Sequence, residues 1–291
     1  MKFTSFTPLL VIALGLAATA QAQVLMLDFG PTVTTTPANS PYHSVVPTAG
    51  TTWNTVNSNA VTAGNLSYSN GSTATGVSLN LGTATGTTNT VPATTLNVST
   101  PSTTFSSGTA GTGIYTNDSV ATDGVFSGGS ATAFTSVGFQ IGGLAAGTYD
   151  IYVTSRNTSV SGYRQNVYAG TSATSGNFTY AASSTGTGGS AVGAAASGYS
   201  LATVGYNGTN SSTSWVEATS GNLFGNYTKI SVTLTSGQFL NLAVTGQFNE
   251  DRGFLNSVQI VNTSSIPEPS TYAVLAGFTA LGVVGLRRRR S

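Results

Sequence analysis

The stretch Val137-Gly138-Phe139-Gln140-Ile141-Gly142-Gly143-Leu144-Ala145-Ala146-Gly147-Thr148-Tyr149-Asp150-Ile151-Tyr152-Val153-Thr154 decides the fold class. Val137, Phe139 and Ile141 alternate with small or polar residues, which is the period of a half-buried strand. Gly142 to Gly147 reads as a turn. Tyr149, Ile151 and Val153 then fall on one face of a second strand, built from β-branched and aromatic residues that suit a pleated surface.

The same grammar recurs outward from this point. Downstream, Ile230, Val232 and Leu234 alternate, Ser236-Gly237 turns the chain, and Leu240, Leu242 and Val244 alternate again. Phe254 to Val261 reads as the closing strand. Arg164–Tyr168, Asn177–Ala181 and Trp215-Val216-Glu217 are shorter strand candidates, and Ser183–Gly198 reads as an exposed small-residue loop. Upstream, Val24-Leu25-Met26-Leu27-Asp28-Phe29-Gly30 is a short apolar run ending in a turn signal, as expected of a buried first strand. Val77-Ser78-Leu79-Asn80-Leu81 is a further strand. Many short strands with Gly/Ser/Asn turns and no convincing amphipathic helix predict an all-β ectodomain, a β-sandwich or jelly roll. A β-helix is the alternative, although no fixed repeat supports it.

Composition narrows the function classes. Charged residues make up 6% of the chain, against ~25% in an average domain. The net charge is +1 with four arginines in the tail, so residues 23–264 are neutral to slightly acidic. No basic footprint for nucleic acid exists. Cysteine is absent, so no disulfide framework supports the core. A Thr/Ser/Asn/Gly exterior with so little charge favours self-association.

The two ends carry address signals. Lys2, the apolar stretch Leu9–Ala18 and Ala20-Gln21-Ala22 form the n-region, h-region and cleavage site of a secretory signal peptide, residues 1–22, cut after Ala22. Residues 265–291 hold Pro267-Glu268-Pro269, an uncharged run over about 270–286, and Arg287, Arg288, Arg289 and Arg290. As a helix the run spans roughly 25 Å, close to the ~30 Å of a bilayer core. The arginines then stay cytoplasmic and the body lies outside. The prolines disfavour helix at Ile266 and Glu268, leaving an extended, accessible segment before the helix.

Pro-Glu-Pro, a short apolar helix and a terminal arginine cluster, in that order, closely resemble the PEP-CTERM sorting signal of Gram-negative bacteria. The resemblance implies an inner-membrane-anchored precursor processed near Pro267-Glu268-Pro269 by an exosortase, a membrane protease. It also implies a mature protein at the cell surface or in an extracellular matrix, associated with exopolysaccharide. Asp28-Phe29-Gly30, then Gly143-Leu144 with Gly147-Thr148-Tyr149-Asp150-Ile151-Tyr152-Val153, Ser155-Arg156, and Gly253-Phe254-Leu255-Asn256-Ser257-Val258-Gln259-Ile260 loosely resemble, in that order, galactose-binding-like or malectin-like jelly rolls, which often bind carbohydrate.

Catalytic inventory is thin. His43, the only histidine, sits in the loop-like Pro41-Tyr42-His43-Ser44 and reads as a surface residue. With one histidine and no cysteine a zinc site is not expected, and no cofactor is implied. The carboxylates show no pair recognisable as glycosidase acid and base, so the expectation is a non-enzymatic protein, with a carbohydrate-binding module or a polysaccharide-active enzyme as alternatives. Asp118 and Asp123 are candidate calcium ligands, read here as acidic turn residues. Arg156, Arg164, Lys229 and Arg252 are the basic residues between the two signals; ion pairs to Asp150 or Asp28 are expected of them. Trp53, Tyr163 and Trp215 can stack on sugar rings and, with Arg156 and Arg164, are the candidate ligand-binding residues. Core packing is the plainer role for the tryptophans.

Overall fold

The computed structural model describes residues 23–30, 39–56, 60–84, 89–91, 114, 120–121, 124–126, 135–155, 164–182, 193–204, 213–222, 225–247 and 252–264. In chain order these form β1 (Val24–Phe29), α1 (Pro41–Val45), β2 (Asn54–Val56), β3 (Ala60–Val61), β4 (Ser78–Ala84), β5 (Thr90–Val91) and β6 (Val125–Phe126). Then follow β7 (Ser136–Gly142), β8 (Gly147–Thr154), β9 (Arg164–Ser172), β10 (Phe178–Thr179) and β11 (Tyr199–Val204). Last come β12 (Thr228–Leu234), β13 (Phe239–Gln247), β14 (Phe254–Leu255) and β15 (Ser257–Asn262). The expected signal peptide and the expected membrane-spanning run at about 270–286 lie outside the described residues.

Two sheets carry the all-β sandwich. One has five strands in the order β12-β8-β15-β1-β2, the other six in the order β11-β9-β13-β7-β4-β3. The ladders are antiparallel except β1 with β2, which run parallel. That short parallel ladder is braced by Asn54, whose Nδ2 donates to the Met26 and Ser67 carbonyls at 2.9 and 2.8 Å. Its Oδ1 accepts from the Ser67 amide at 2.8 Å.

The core lies between the sheets, and the strand period explains it. Leu25, Leu27 and Phe29 of β1 meet Val137, Phe139 and Ile141 of β7, Tyr149, Ile151 and Val153 of β8, and Leu240, Leu242 and Val244 of β13. Ile230, Val232 and Leu234 of β12 close one side, while Lys229, Ser231 and Thr233 face solvent between them. Phe29 and Phe139 stack across the layers with ring centroids 5.7 Å apart and planes 15° apart, an offset geometry that adds to their burial.

The turn at Gly142–Gly147 does not close a hairpin: β7 belongs to the six-stranded sheet and β8 to the five-stranded one. The connection therefore arches over the end of the sandwich and drops Leu144 into the core. Gly143 sits at φ +81°, and a Cβ there would lie 2.0 Å from the Gly76 carbonyl oxygen, so only glycine fits.

Three sequence readings are corrected. Residues 41–45 form a helix, with Ser40 as N-cap and proline in the first turn, the pairing that starts helices. Trp215-Val216-Glu217 is not a strand and contributes only an isolated bridge from Glu217 to Tyr227. There the Asn226 amide donates to the Val216 carbonyl at 2.8 Å and the Ala218 amide to the Tyr227 carbonyl at 2.7 Å, and the Asn226 side chain adds to them: its Oδ1 accepts from the Val216 amide and its Nδ2 donates to the Ser214 carbonyl, both at 2.9 Å. The closing segment 254–261 is two strands, β14 pairing with β6 and β15 with β1 and β8.

Phe139→Ala removes one ring of the inter-sheet stack. It is expected to cost roughly 3–5 kcal/mol, read as a lowered midpoint of urea unfolding at unchanged slope.

Candidate functional site

The outer face of the five-stranded sheet carries a second apolar cluster. Val24 and Met26 of β1, Tyr152 of β8 and Val261 of β15 point away from the core and are covered by Tyr42, Ala49 and Tyr227. Tyr152 is the alternation partner of the core-facing Ile151 and Val153, so its place on the opposite face follows from the strand period.

α1 is held on this face by Gln259. Its Oε1 accepts from the Tyr42 amide at 2.8 Å, and its Nε2 donates to Ser40 Oγ at 2.9 Å. Ser40 Oγ lies 2.5 Å from His43 Nδ1, and His43 Nε2 lies 2.6 Å from the Gly50 carbonyl oxygen. The carbonyl can only accept, so Nε2 carries a hydrogen and the Ser40 hydroxyl donates to Nδ1. His43 is 5% exposed, which corrects its reading as a surface residue. The helix start turns the ring inward, where both nitrogens find partners. The fully buried Ser40 hydroxyl serves the helix cap and this ring.

Aromatic rings chain across the face. Tyr42 and Tyr152 have centroids 5.2 Å apart, Tyr152 and Tyr227 6.1 Å, and Trp215 meets Tyr227 edge-on at 6.4 Å. The Trp215 indole nitrogen donates to Asn39 Oδ1 at 2.7 Å. Trp53 and Trp215, half-buried, both pack against this one cluster. Packing is thus part of what each tryptophan does, and each keeps some surface in solvent. The structure brings these two candidates together. Arg164 starts β9 in the other sheet, opposite Gln247, and is not part of the cluster. Arg156, Tyr163, Asp118, Asp123 and the sorting residues Pro267 to Pro269 and Arg287 to Arg290 lie outside the described residues. Among the described residues no group of three or more His, Cys, Asp or Glu could hold a metal ion.

Charge on this face is sparse. Asp150 accepts from Ser231 Oγ at 2.5 Å and meets Lys229 Nζ at 3.5 Å, which realises one of the expected ion pairs. Both groups are solvent-accessible, so the pair contributes little to stability. Burial raises the Tyr152 hydroxyl to about 12, helped by the negative Asp150 and by Tyr42, Tyr227 and Glu217. Burial likewise raises Tyr42 and Tyr227, with Asp150 and Glu217 respectively adding to it. Next to this face an open cleft of about 580 Å³ runs between Leu201, Ala202 and Thr203 of β11 and Glu217–Ser220, Thr228 and Lys229.

Tyr42, Tyr227 and Gln259 were not among the residues singled out from the sequence. The Ser40-Pro41 helix start was the available signal for Tyr42. Nothing local marks Gln259, whose partners lie more than two hundred residues away in the chain.

What the fold and this face define is an all-β sandwich with an aromatic outer surface and little charge. The tail supplies the rest. Residues 265–290 match the family model of the PEP-CTERM protein-sorting motif. The chain thus carries a PEP-CTERM sorting signal at its C-terminal end, a motif that implies export to the surface or the extracellular space and processing by an exosortase, a membrane protease. No curated protein and no solved structure matches the chain, so the likeness to galactose-binding-like or malectin-like jelly rolls gains no support there. Among the described residues no helix is long and apolar enough to cross a membrane.

The tyrosines give a pH test. Tyr149 is also raised to about 12, by burial first and then by Tyr68, against a lowering hydrogen bond from Asn262. An unfolded tyrosine ionises near ~10. Between these values the unfolded chain loses phenolic protons that the folded one keeps, so stability falls as pH rises. The stabilisation is fully present below the unfolded value. It should drain away from ~10 upward, toward the folded value of about 12. Melting temperature against pH, with phenolate absorbance as a monitor, reads this; a flat melting temperature across that window would overturn it.

Proposed function

We propose that this protein is a non-catalytic surface or extracellular-matrix protein of a Gram-negative bacterium, associated with exopolysaccharide. The precursor is held in the inner membrane by a helix over about 270–286, with Arg287 to Arg290 in the cytoplasm. An exosortase then cuts near Pro267-Glu268-Pro269 and releases the sandwich domain. The observation that carries this reading is the sorting motif over residues 265–290. The uncharged, hydroxyl-rich composition supports a partner recognised by hydrogen bonds and ring stacking rather than by charge.

A dedicated carbohydrate-binding module is the second reading. It is favoured by the placement of Trp53 and Trp215 against one outer-face cluster, each with surface left for a sugar ring. A polysaccharide-active enzyme is the third.

Two measurements test the proposal. Intact-mass analysis of the processed protein is expected to show a C-terminus upstream of Arg287, and Glu268→Ala is expected to block that processing. Mature protein ending at Ser291 would falsify the sorting account. On a glycan array, a discrete sugar preference lost in both Trp53→Ala and Trp215→Ala, with the fold retained, assigns the module. Retention in exopolysaccharide without such preference supports the matrix role, and turnover of a polysaccharide overturns the non-catalytic reading.

A further inference from the structure

β1 begins one residue after the expected signal-peptide cut. Cleavage after Ala22 makes Gln23 the first residue of the exported chain. The compact unit of the domain spans Ala22–Ser264, so its start coincides with that cut. Gln23 is exposed, whereas Val24 is buried and paired with Val261. The Gln23 carbonyl accepts from the Asn262 amide at 3.0 Å, and the β1–β15 ladder takes over from Val24 onward.

We propose that Gln23 of the exported chain is a modification site, cyclised to pyroglutamate, and that the ring caps the start of β1. The proposal rests on the signal-peptide reading, with cleavage after Ala22. An N-terminal glutamine holds a nucleophile and an electrophile in one residue. A free α-amine ordinarily titrates at ~8, so a fraction is uncharged at neutrality and has an electron pair to offer. The amine nitrogen attacks the side-chain amide carbon Cδ, and the new N–Cδ bond closes a lactam ring. The Cδ–Nε2 bond breaks, and Nε2 leaves as ammonia with a proton given up by the amine. The short tether favours this closure over any intermolecular reaction. The fold accommodates the product. Cyclisation consumes the amine and the side-chain amide, and it leaves the Gln23 carbonyl on the Asn262 amide. The ring then lies where Gln23 is exposed, beyond the end of the ladder. A lactam offers no α-amine to an aminopeptidase. Chain ends are where trimming concentrates, and here every residue lost after Gln23 would come out of β1, which is buried on both faces.

The test uses the full chain, exported by cells and quenched in denaturant at harvest. An endoproteinase that cuts before aspartate releases the peptide Gln23–Leu27 ahead of Asp28, and its mass is read. The expected peptide is lighter than Gln23–Leu27 by one ammonia and does not react with an amine-labelling reagent. Gln23→Asn, whose shorter side chain would need a smaller and strained ring, should give a peptide of full mass that labels at its terminus. Folded Gln23→Asn protein should also be trimmed by an aminopeptidase several-fold faster than the unaltered protein, at the same melting temperature. A start at Gln23 with a free amine overturns the cyclisation and leaves the signal-peptide reading standing. A start at any other residue overturns both. Equal trimming of the two proteins overturns the capping role.

Discussion

The first and last strands of the domain pair with each other, and the rest of the architecture depends on that ladder. Val24 to Asp28 run antiparallel to Val261 to Ser257, and β15 is gripped on its other side by β8. β1 is buried on both faces. Its Leu25, Leu27 and Phe29 fill the space between the sheets, and its Val24 and Met26 floor the outer aromatic cluster. Without β15 in place, Gln259 could not hold α1, and Tyr42 would lose its seat. The closure joins residues at opposite ends of the domain. No disulfide assists it, so apolar burial must offset the entropy of closing so long a loop.

Amide side chains take up much of the polar work inside this fold. Asn54 braces the parallel ladder, Asn226 brackets the 214–216 segment, and Gln259 docks the helix. In the six-stranded sheet Gln140 Nε2 donates to Asn241 Oδ1 at 2.8 Å, and Asn241 Nδ2 donates to the Tyr199 hydroxyl at 2.9 Å. Such side chains can give and receive at once, so they close buried networks without bringing charge inside. That accounts for a chain rich in asparagine and poor in acids and bases.

Legibility in the sequence tracked the number of buried faces. β12 alternates buried and exposed residues along its whole length, and its period was plain in Ile230, Val232 and Leu234. β9 is buried over most of its length on both sides, because Tyr168 on its outer face packs with Tyr180 and Phe178. The alternation there is blurred, and only Arg164–Tyr168 of the longer strand could be read. Pairing was hidden altogether: nothing in Asn54-Thr55-Val56 announces a parallel partner, and Trp215-Val216-Glu217 has strand-like residues but makes only an isolated bridge, supplemented by the Asn226 side chain. Of the candidate site, the two tryptophans were legible as residue types. Their convergence on one cluster was not, because Trp53 and Trp215 are brought there by strand order and by contacts distant in sequence. The sorting signal could be read directly, since its elements are contiguous and need no fold to be recognised.

The central place of β15 also has a mechanical side. The chain leaves the domain through Ser264, two residues after this strand ends. β15 is bonded along both flanks, to β1 and to β8. A pull on Ser264 along the strand axis therefore loads two ladders in shear, with many bonds resisting together instead of opening one after another.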